Sequence, residues 1–278
     1  MKCLLCSEFR RLWISKLFYL GALTVALEAL YALINNLYYK TLWDLDLTGT
    51  NLLFMGMTVL PLAVAVFIAF FASADHGDHT VRNKVIVGHG RVQIYLARSI
   101  VCAVAALLMY VVGSGIIIAV GGPLLGGFPD MTVSLFLQIL CSLLSVVALC
   151  ALLLLFAMLI QNRAVAVIAT MLCVIALQFL VLPAIFSALN APETVGGFTY
   201  LDDEGILHEI PEQPNPEYPT GTKRALLQAV YDILPVGQLF SYGEEQIKNL
   251  AFYPVYGIVF CCVTTLGGTW GFYKRDLK

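Results

Sequence analysis

The chain has 278 residues, of which 60% are hydrophobic and 12% are charged, and its mean hydropathy is +0.85. These values exclude an ordinary soluble protein and predict a protein that crosses a membrane several times. The formal net charge is only -2, but the charges are unevenly distributed, because acidic and basic residues occupy different parts of the chain.

Residues 1–16 predict an amphipathic helix that lies in the membrane interface before the chain enters the bilayer. Its apolar face carries Leu5, Phe9, Leu12 and Trp13. Its polar face carries Ser7, Glu8, Arg11 and Ser15. The apolar run that follows is too long for a signal peptide and lacks a small-residue cleavage site, so we interpret it as the first span.

Six apolar runs are long enough to cross a bilayer, which takes about 20 helical residues. They cover residues 17–39, 52–74, 98–121, 132–160, 164–188 and 250–273. The predicted fold is therefore an all-α membrane protein with six transmembrane helices. Five lie within residues 17–188, and the sixth lies in residues 250–278 together with a short tail. An even number of spans places both termini on one side.

The distribution of Lys and Arg predicts that this side is the cytoplasm, where basic residues concentrate. Twelve fall on the side of the termini: Lys2, Arg10, Arg11, Lys16, Arg82, Lys84, Arg91, Arg98, Arg163, Lys274, Arg275 and Lys278. The other four are Lys40, Lys223, Arg224 and Lys248, and 13 of the 18 acidic residues lie on their side.

Glu28 lies near the middle of the first span, where a charge costs roughly 2.5 to 3.5 kcal/mol on insertion scales. Its carboxylate should therefore face protein or water, or be protonated, and it is a candidate for the translocation path or a subunit interface. A structural role is the alternative, in which Glu28 pairs with a Ser, Asn or Gln of a neighbouring span.

Proline and glycine mark further features of the spans. Pro61 predicts a kink in the second span. Gly113 and Gly115 in the third span, and Gly267 to Gly271 in the sixth, favour close helix packing.

The polar segment from Asp75 to Arg98 separates the second and third spans. Asp78 or Thr80 is a suitable N-cap, and Gly88 can end a helix in a left-handed conformation, which predicts a short helix at about residues 79–87. Val81, Val85 and Ile86 would form its apolar stripe, while Arg82, Asn83 and Lys84 stand off that stripe. An ordinary basic connecting loop is the alternative.

Residues 189–249 form the one sizeable segment outside the predicted spans, and the topology places them outside the cell. FTYL and ILHEI, separated by DDEG, predict a hairpin, and PEQPNPEYPTG predicts extended chain. TKRALLQAVYDIL has helical spacing and ends before Pro235. We expect this segment to rest on the outer mouth of the bundle.

Signals for catalysis are weak. Asp75, His76, Asp78 and His79 include metal-ligand types, but they lack partners elsewhere in the chain. The sequence contains no GxxxxGK[ST] phosphate loop, HExxH or GxSxG motif. If ATP supplies energy, another chain must bind it.

Two stretches carry a resemblance to a known family. EFRRLWISKLF at Glu8 to Phe18 and VRNKVIVGHGRVQIYLAR at Val81 to Arg98 resemble the membrane subunits of ABC-2-type ABC transporters. The family commonly shows an acidic residue, Gly-Thr, an RNK-like run, a Gly, a small residue with Arg, and an aromatic residue. At these places the chain has, in order, Asp75, Thr80, Arg82, Asn83, Lys84, Gly88, Gly90, Arg91 and Tyr95, and it departs from the common residue at two positions. His79 stands where Gly is common, and Gly90 where Ser is common. LLQAVYDILPVGQ resembles bacterial members that move peptides, antibiotics or other amphipathic compounds.

The resemblance implies a permease subunit of an ATP-driven exporter in the bacterial plasma membrane, with its partners. The protein partners are two copies of a cytoplasmic ATP-binding subunit and a second permease, which is the same or homologous. The chain would also contact membrane lipid, and the resemblance implies no nucleic-acid partner. The partner would bind ATP and Mg, so this chain would be no enzyme and would hold no cofactor. The implied ATPase-coupling residues are Val81, Arg82, Asn83, Lys84, Val85, Ile86, Gly88 and Arg91.

Two other classes remain open from the residues. A secondary transporter would use Glu28 as a proton or sodium site, but we find neither a clear inverted repeat nor broken helices with matching polar residues. An intramembrane enzyme would use Asp75, His76, Asp78 and His79, but it lacks a second polar cluster within the spans.

Overall fold

The structure is a computed structural model that describes residues 1–43, 52–54, 58–77, 80–125, 127–128, 133–201, 207–242 and 250–274. Within these ranges the main helices are α1 Lys2–Ile14, α2 Lys16–Trp43, α3 Leu60–Gly77, α4 Thr80–Ile86, α5 Arg91–Leu124, α6 Val133–Leu159, α7 Arg163–Leu189, α8 Gly221–Ile233, α9 Pro235–Ser241 and α10 Tyr253–Lys274. Residues 52–54 add a helical turn, and Leu250–Phe252 form a 3-10 turn before α10.

Five helices in the described part of the chain are long and apolar enough to cross a membrane: Lys16–Trp43, Arg91–Leu124, Leu135–Leu159, Arg163–Leu189 and Leu250–Lys274. The run predicted as the second span differs. Its apolar helix covers only Leu60–Ala74, or roughly 22 Å at 1.5 Å per residue. Pro61 is the second residue of α3, where its missing N–H costs little, so it stands at a helix start and does not kink a continuous span.

Helix α6 occupies the centre of the bundle. It packs against α3, α5, α7, α9 and α10. Small and aliphatic side chains along it are buried, among them Val146, Leu149, Leu153 and Ala157. Apolar side chains on α2 and α10 remain largely exposed, as expected for helices at the edge of a membrane bundle.

Helix α1 and the last described turn of α10 lie at the same end of the bundle. Helix α1, at the start of the sequence, packs against α5. Arg91, the first residue of α5, donates Nη1 at 2.8 Å to the carbonyl oxygen of Tyr273, which lies near the end of the sequence. Helix α4 belongs to this end as well, since it leads directly into α5 and its Lys84 contacts Glu8 of α1. We call it the terminal end.

The segment between α7 and α10 contains the predicted hairpin. Strands β2 Phe198–Leu201 and β3 Leu207–Ile210 pair antiparallel, with Phe198 opposite Ile210. A second small ribbon joins β1 Thr194–Val195 to β4 Gln213–Pro214, so only part of the proline-rich stretch is free of secondary structure. Helix α8 follows and ends before Pro235, which confirms the predicted helix and its end.

Helix α9 was not predicted. Its Val236, Gln238 and Ser241 are buried, and it packs against α6 in the bundle. The segment therefore does more than rest on the mouth of the bundle, because one short helix of it is part of the core.

Candidate functional site

Helix α4 ends in a Schellman motif at Gly88. The glycine has φ +97, its N–H donates to the Val85 carbonyl at 3.0 Å, and the His89 N–H donates to the Lys84 carbonyl at 3.1 Å. This is the hydrogen-bond pattern of a helix closed by a left-handed residue. The prediction that Gly88 ends the helix in this conformation is confirmed.

The predicted coupling residues take different environments. Asn83 is exposed and Val85 is half-buried against the core of its own chain. Ile86 and Val87 are 71% and 77% exposed at the tip of α4. Arg91 is bonded to the Tyr273 carbonyl. The backbone of Thr80, Val81 and Arg82 lies in α4, but their side chains lie outside the described part of the structure, as does the whole of the candidate cap Asp78.

Glu8 of α1 forms ion pairs with α4 and α5. Its Oε1 accepts from Lys84 Nζ at 2.5 Å and from Arg98 Nη2 at 3.0 Å. The side chains of Glu8 and Arg98 are 4% and 1% exposed. The helical pattern predicted that Glu8 lies with Ser7 and Arg11 on the polar face of α1, whereas Glu8 lies on the buried face of the helix with Leu4 and Leu12. The carboxylate is buried there because two cations, from α4 and α5, pair with it.

Two guanidinium groups converge on Phe71, near the end of α3. Arg11 Nη2 and Arg98 Nη1 both donate to its carbonyl oxygen, at 3.2 and 3.0 Å. Both guanidinium carbons also lie over its ring, 4.9 and 5.1 Å from the centroid, within range of cation–π attraction. We call Glu8, Arg11, Phe71, Lys84 and Arg98 the charged cluster. It joins α1, α3, α4 and α5 at one point.

Sequence reasoning missed the charged cluster, although one signal was present. Arg98 lies two turns inside α5, where the apolar run of the third span begins. A guanidinium at that depth requires an acceptor, and Glu8 is the single acidic residue of an otherwise basic amino-terminal segment.

Glu28 is half-buried and bonds to the start of α3. Its Oε1 accepts from the Val59 N–H at 2.7 Å, and Thr58 supplies a second main-chain hydrogen bond. Gln178 of α7 donates Nε2 to the Thr58 carbonyl at 2.8 Å. The partner of Glu28 is therefore backbone at a helix start, in place of the Ser, Asn or Gln side chain expected for a structural role.

A second buried polar network holds α9 in the bundle. Ser145 of α6 donates Oγ to Gln238 Oε1 at 2.6 Å, and Gln238 Nε2 donates to the Asp232 carbonyl at 2.6 Å. Tyr253 of α10 donates its hydroxyl to Asp232 Oδ1 at 3.3 Å. These bonds satisfy polar groups that would otherwise be costly inside a membrane protein.

A metal site was considered at Asp75, His76, Asp78 and His79, and these side chains lie outside the described part of the structure. Among the side chains that are described, no group of three or more His, Cys, Asp or Glu residues is placed to hold a metal ion.

The helices define a multi-pass all-α membrane protein whose terminal end carries a short surface helix fixed by buried charges. A family model described as ABC-2 family transporter protein matches residues 4–177. The chain therefore belongs to the ABC-2 family of transporter proteins. No curated protein matches the sequence significantly.

Family membership confirms the resemblance carried by residues 8–18 and 81–98, and it makes the chain a permease component of an ABC transporter. The matched range runs from α1 into α7 and includes the whole charged cluster. Such permeases are transport components, and ATP hydrolysis typically resides in a separate subunit.

Proposed function

We propose that the chain is the permease subunit of an ATP-driven exporter that moves a peptide, an antibiotic or another amphipathic compound across the cell membrane. Two such permeases, identical or homologous, would form the path. Two cytoplasmic ATP-binding subunits would bind ATP and Mg and supply the energy. The family match over residues 4–177 is the observation that carries this proposal.

Helix α4 is the proposed contact with the ATP-binding subunit. Two aliphatic side chains, Ile86 and Val87, are exposed at the tip of this helix. The tip belongs to the terminal end of the bundle, where Lys and Arg accumulate. Exposed aliphatic groups on a polar surface are the typical centre of a protein interface, with charged groups around them. Asn83 is exposed beside them, whereas Val85 is half-buried and packs against the core of its own chain.

The charged cluster suggests how a push on α4 would reach the spans. Lys84 ties α4 to Glu8, and Glu8 ties α1 to Arg98 of α5. Helix α5 continues from Arg91 to Leu124, roughly 50 Å at 1.5 Å per residue, which is longer than the hydrocarbon core is thick. Closure of the ATP-binding subunits would then move α4, α1 and α5 together, an example of rigid-body switching.

The two alternative classes are not favoured. One carboxylate oxygen of Glu28 accepts from the main chain at the start of α3, which supports a structural role for this residue without a transported ion. The family is one of transport components, which argues against an intramembrane enzyme.

The test is co-purification of the ATP-binding subunit with tagged permease from its native membrane in mild detergent. Ile86→Asp and Val87→Asp should each reduce the recovered subunit about tenfold or more, because a carboxylate at a desolvated contact costs several kcal/mol. Val195→Asp is the matched control, since Val195 is 43% exposed in the segment between α7 and α10.

Thermal stability of each purified permease separates loss of docking from loss of folding. Val85→Asp should lower that stability, since Val85 packs against the chain's own core. Full recovery of the ATP-binding subunit with both Ile86→Asp and Val87→Asp would refute docking through the tip of α4.

A further inference from the structure

A cavity of about 570 Å³ opens where α1 turns into α2. Its walls come from α1, the start of α2, the last turns of α3 and the start of α7. Three arginines line it: Arg10, Arg11 and Arg163. Ser15 adds a hydroxyl at the turn between α1 and α2.

The three arginines give the cavity a basic lining. Its described lining includes no acidic side chain. Glu8, the acidic residue of α1, does not line the cavity and directs Oε1 toward Lys84 and Arg98. Arg10 and Arg163 are exposed, so their guanidinium groups remain accessible from the cavity. The two exposed guanidinium groups of Arg10 and Arg163 at one cavity suit a phosphate, whose oxygens accept paired N–H bonds.

Apart from the arginines, Ser7 and Ser15, the lining is apolar, which points to a lipid in place of a soluble anion. Leu17 and Phe70 line the cavity, and so does Ile14, which is 69% exposed. A soluble phosphate compound would leave these side chains without a partner, whereas the upper part of an acyl chain would cover them.

The cavity also lies at the depth of lipid headgroups. Ser15 separates the interfacial helix α1 from the first span, and Arg163 is the first residue of α7. Trp13 and Tyr19, 52% and 53% exposed, flank the same turn, and aromatic side chains of this kind concentrate at membrane interfaces. Basic pockets between spans at this level bind anionic headgroups.

We infer that this cavity binds the phosphodiester headgroup of an anionic phospholipid, with Arg10 and Arg163 contacting the phosphate and Leu17 and Phe70 contacting the acyl chains. Arg11 lines the cavity and also donates to the Phe71 carbonyl, so the bound lipid adjoins the charged cluster and holds α1 against α3. The site does not require the ATP-binding subunit.

The full chain in detergent is titrated with phosphatidylglycerol and, separately, with phosphatidylcholine of the same acyl chains. Native mass spectrometry counts bound lipid, and thermal unfolding follows stabilisation. We expect tighter binding and greater stabilisation with phosphatidylglycerol. The double variant Arg10→Gln with Arg163→Gln should weaken phosphatidylglycerol binding about tenfold and remove most of its preference over phosphatidylcholine. Arg11 stays intact, because it bonds to α3.

Lys16→Gln is the control for nonspecific charge, because Lys16 is exposed at the same depth but does not line the cavity. Its phosphatidylglycerol affinity should stay within about twofold of the parent. Equal affinity for both lipids, or equal weakening by Lys16→Gln and the double variant, would overturn the proposal. So would displacement of the lipid by millimolar inorganic phosphate or ATP, which would assign the cavity to a soluble anion.

Discussion

Glu8 is the residue on which the terminal end depends most. Its carboxylate compensates Arg98, which is 1% exposed, and Lys84, which is 20% exposed. Removing one partner of a buried ion pair leaves an uncompensated charge and typically costs about 3–5 kcal/mol. Glu8→Ala should lower the free energy of unfolding by that amount in detergent.

The control for Glu8→Ala is Glu212→Ala. Glu212 is exposed and accepts a hydrogen bond from Thr194 at 2.6 Å, so its loss should change stability by less than about 1 kcal/mol. In the double variant of Glu8→Ala with Lys84→Ala the two effects should not add, because the residues contact each other. Equal stability of Glu8→Ala and the parent would show that the charged cluster does not hold α1.

Glu28 offers a second test at a single position. Glu28→Gln keeps an oxygen that accepts from the Val59 N–H, so folding should be nearly unchanged. Glu28→Leu removes that acceptor and should cost about 1–3 kcal/mol, measured by unfolding in detergent. Transport and substrate-stimulated ATP hydrolysis should fall with Glu28→Gln if the carboxylate serves the translocation path. Unchanged rates would leave Glu28 a structural residue at the start of α3.

Local signals in the sequence predicted several elements well, because their causes lie within a few residues. Gly88 ends α4, strands β2 and β3 pair as predicted, and α8 ends before Pro235. The contacts of Glu8 could not be found this way. Its partners Lys84 and Arg98 are 76 and 90 residues distant, and a helical pattern shows which residues share a face without showing what that face meets.

The second span shows the same limit at the level of an element. Composition marked residues 52–74 as one apolar run, but hydropathy does not register where main-chain hydrogen bonds stop. In the structure α3 begins at Leu60, and Glu28 and Gln178 supply partners to the backbone just before it. A break inside the membrane is tolerated where neighbouring side chains satisfy the freed groups.

Glycines in the spans were predicted to permit close packing, and the structure distinguishes between them. A Cβ at Gly268 of α10 would overlap the hydroxyl of Tyr95 on α5, whereas a Cβ at Gly267 would meet nothing within 4 Å. Gly268→Ala should therefore cost about 1–3 kcal/mol through overpacking, and Gly267→Ala should be close to neutral. Unfolding of the two variants in detergent compares them directly, and equal stability would contradict the close contact between α5 and α10.

At the scale of the whole molecule, the fold gathers most of the described basic residues at one end of the bundle. The described basic residues at the terminal end are Lys2, Arg10, Arg11, Lys16, Lys84, Arg91, Arg98, Arg163 and Lys274. Those at the opposite end are Lys40, Lys223 and Arg224. The contacts of Glu8 with Lys84 and of Arg91 with Tyr273 bring the basic segments together, although they are far apart in sequence.

This asymmetry predicts how the chain is oriented. Lys and Arg near span ends favour the cytoplasmic side, so the terminal end should face the cytoplasm and the hairpin of β2 and β3 should face outward. Alkaline phosphatase, which is active only outside the cytoplasm, should be active when inserted between β2 and β3 and inactive when fused after Lys278. A fluorescent protein that folds only in the cytoplasm should give the opposite result at the same two sites, which controls for expression. Phosphatase activity at the carboxyl terminus, without activity at the hairpin, would reverse the orientation and remove α4 from the side on which ATP-binding subunits act.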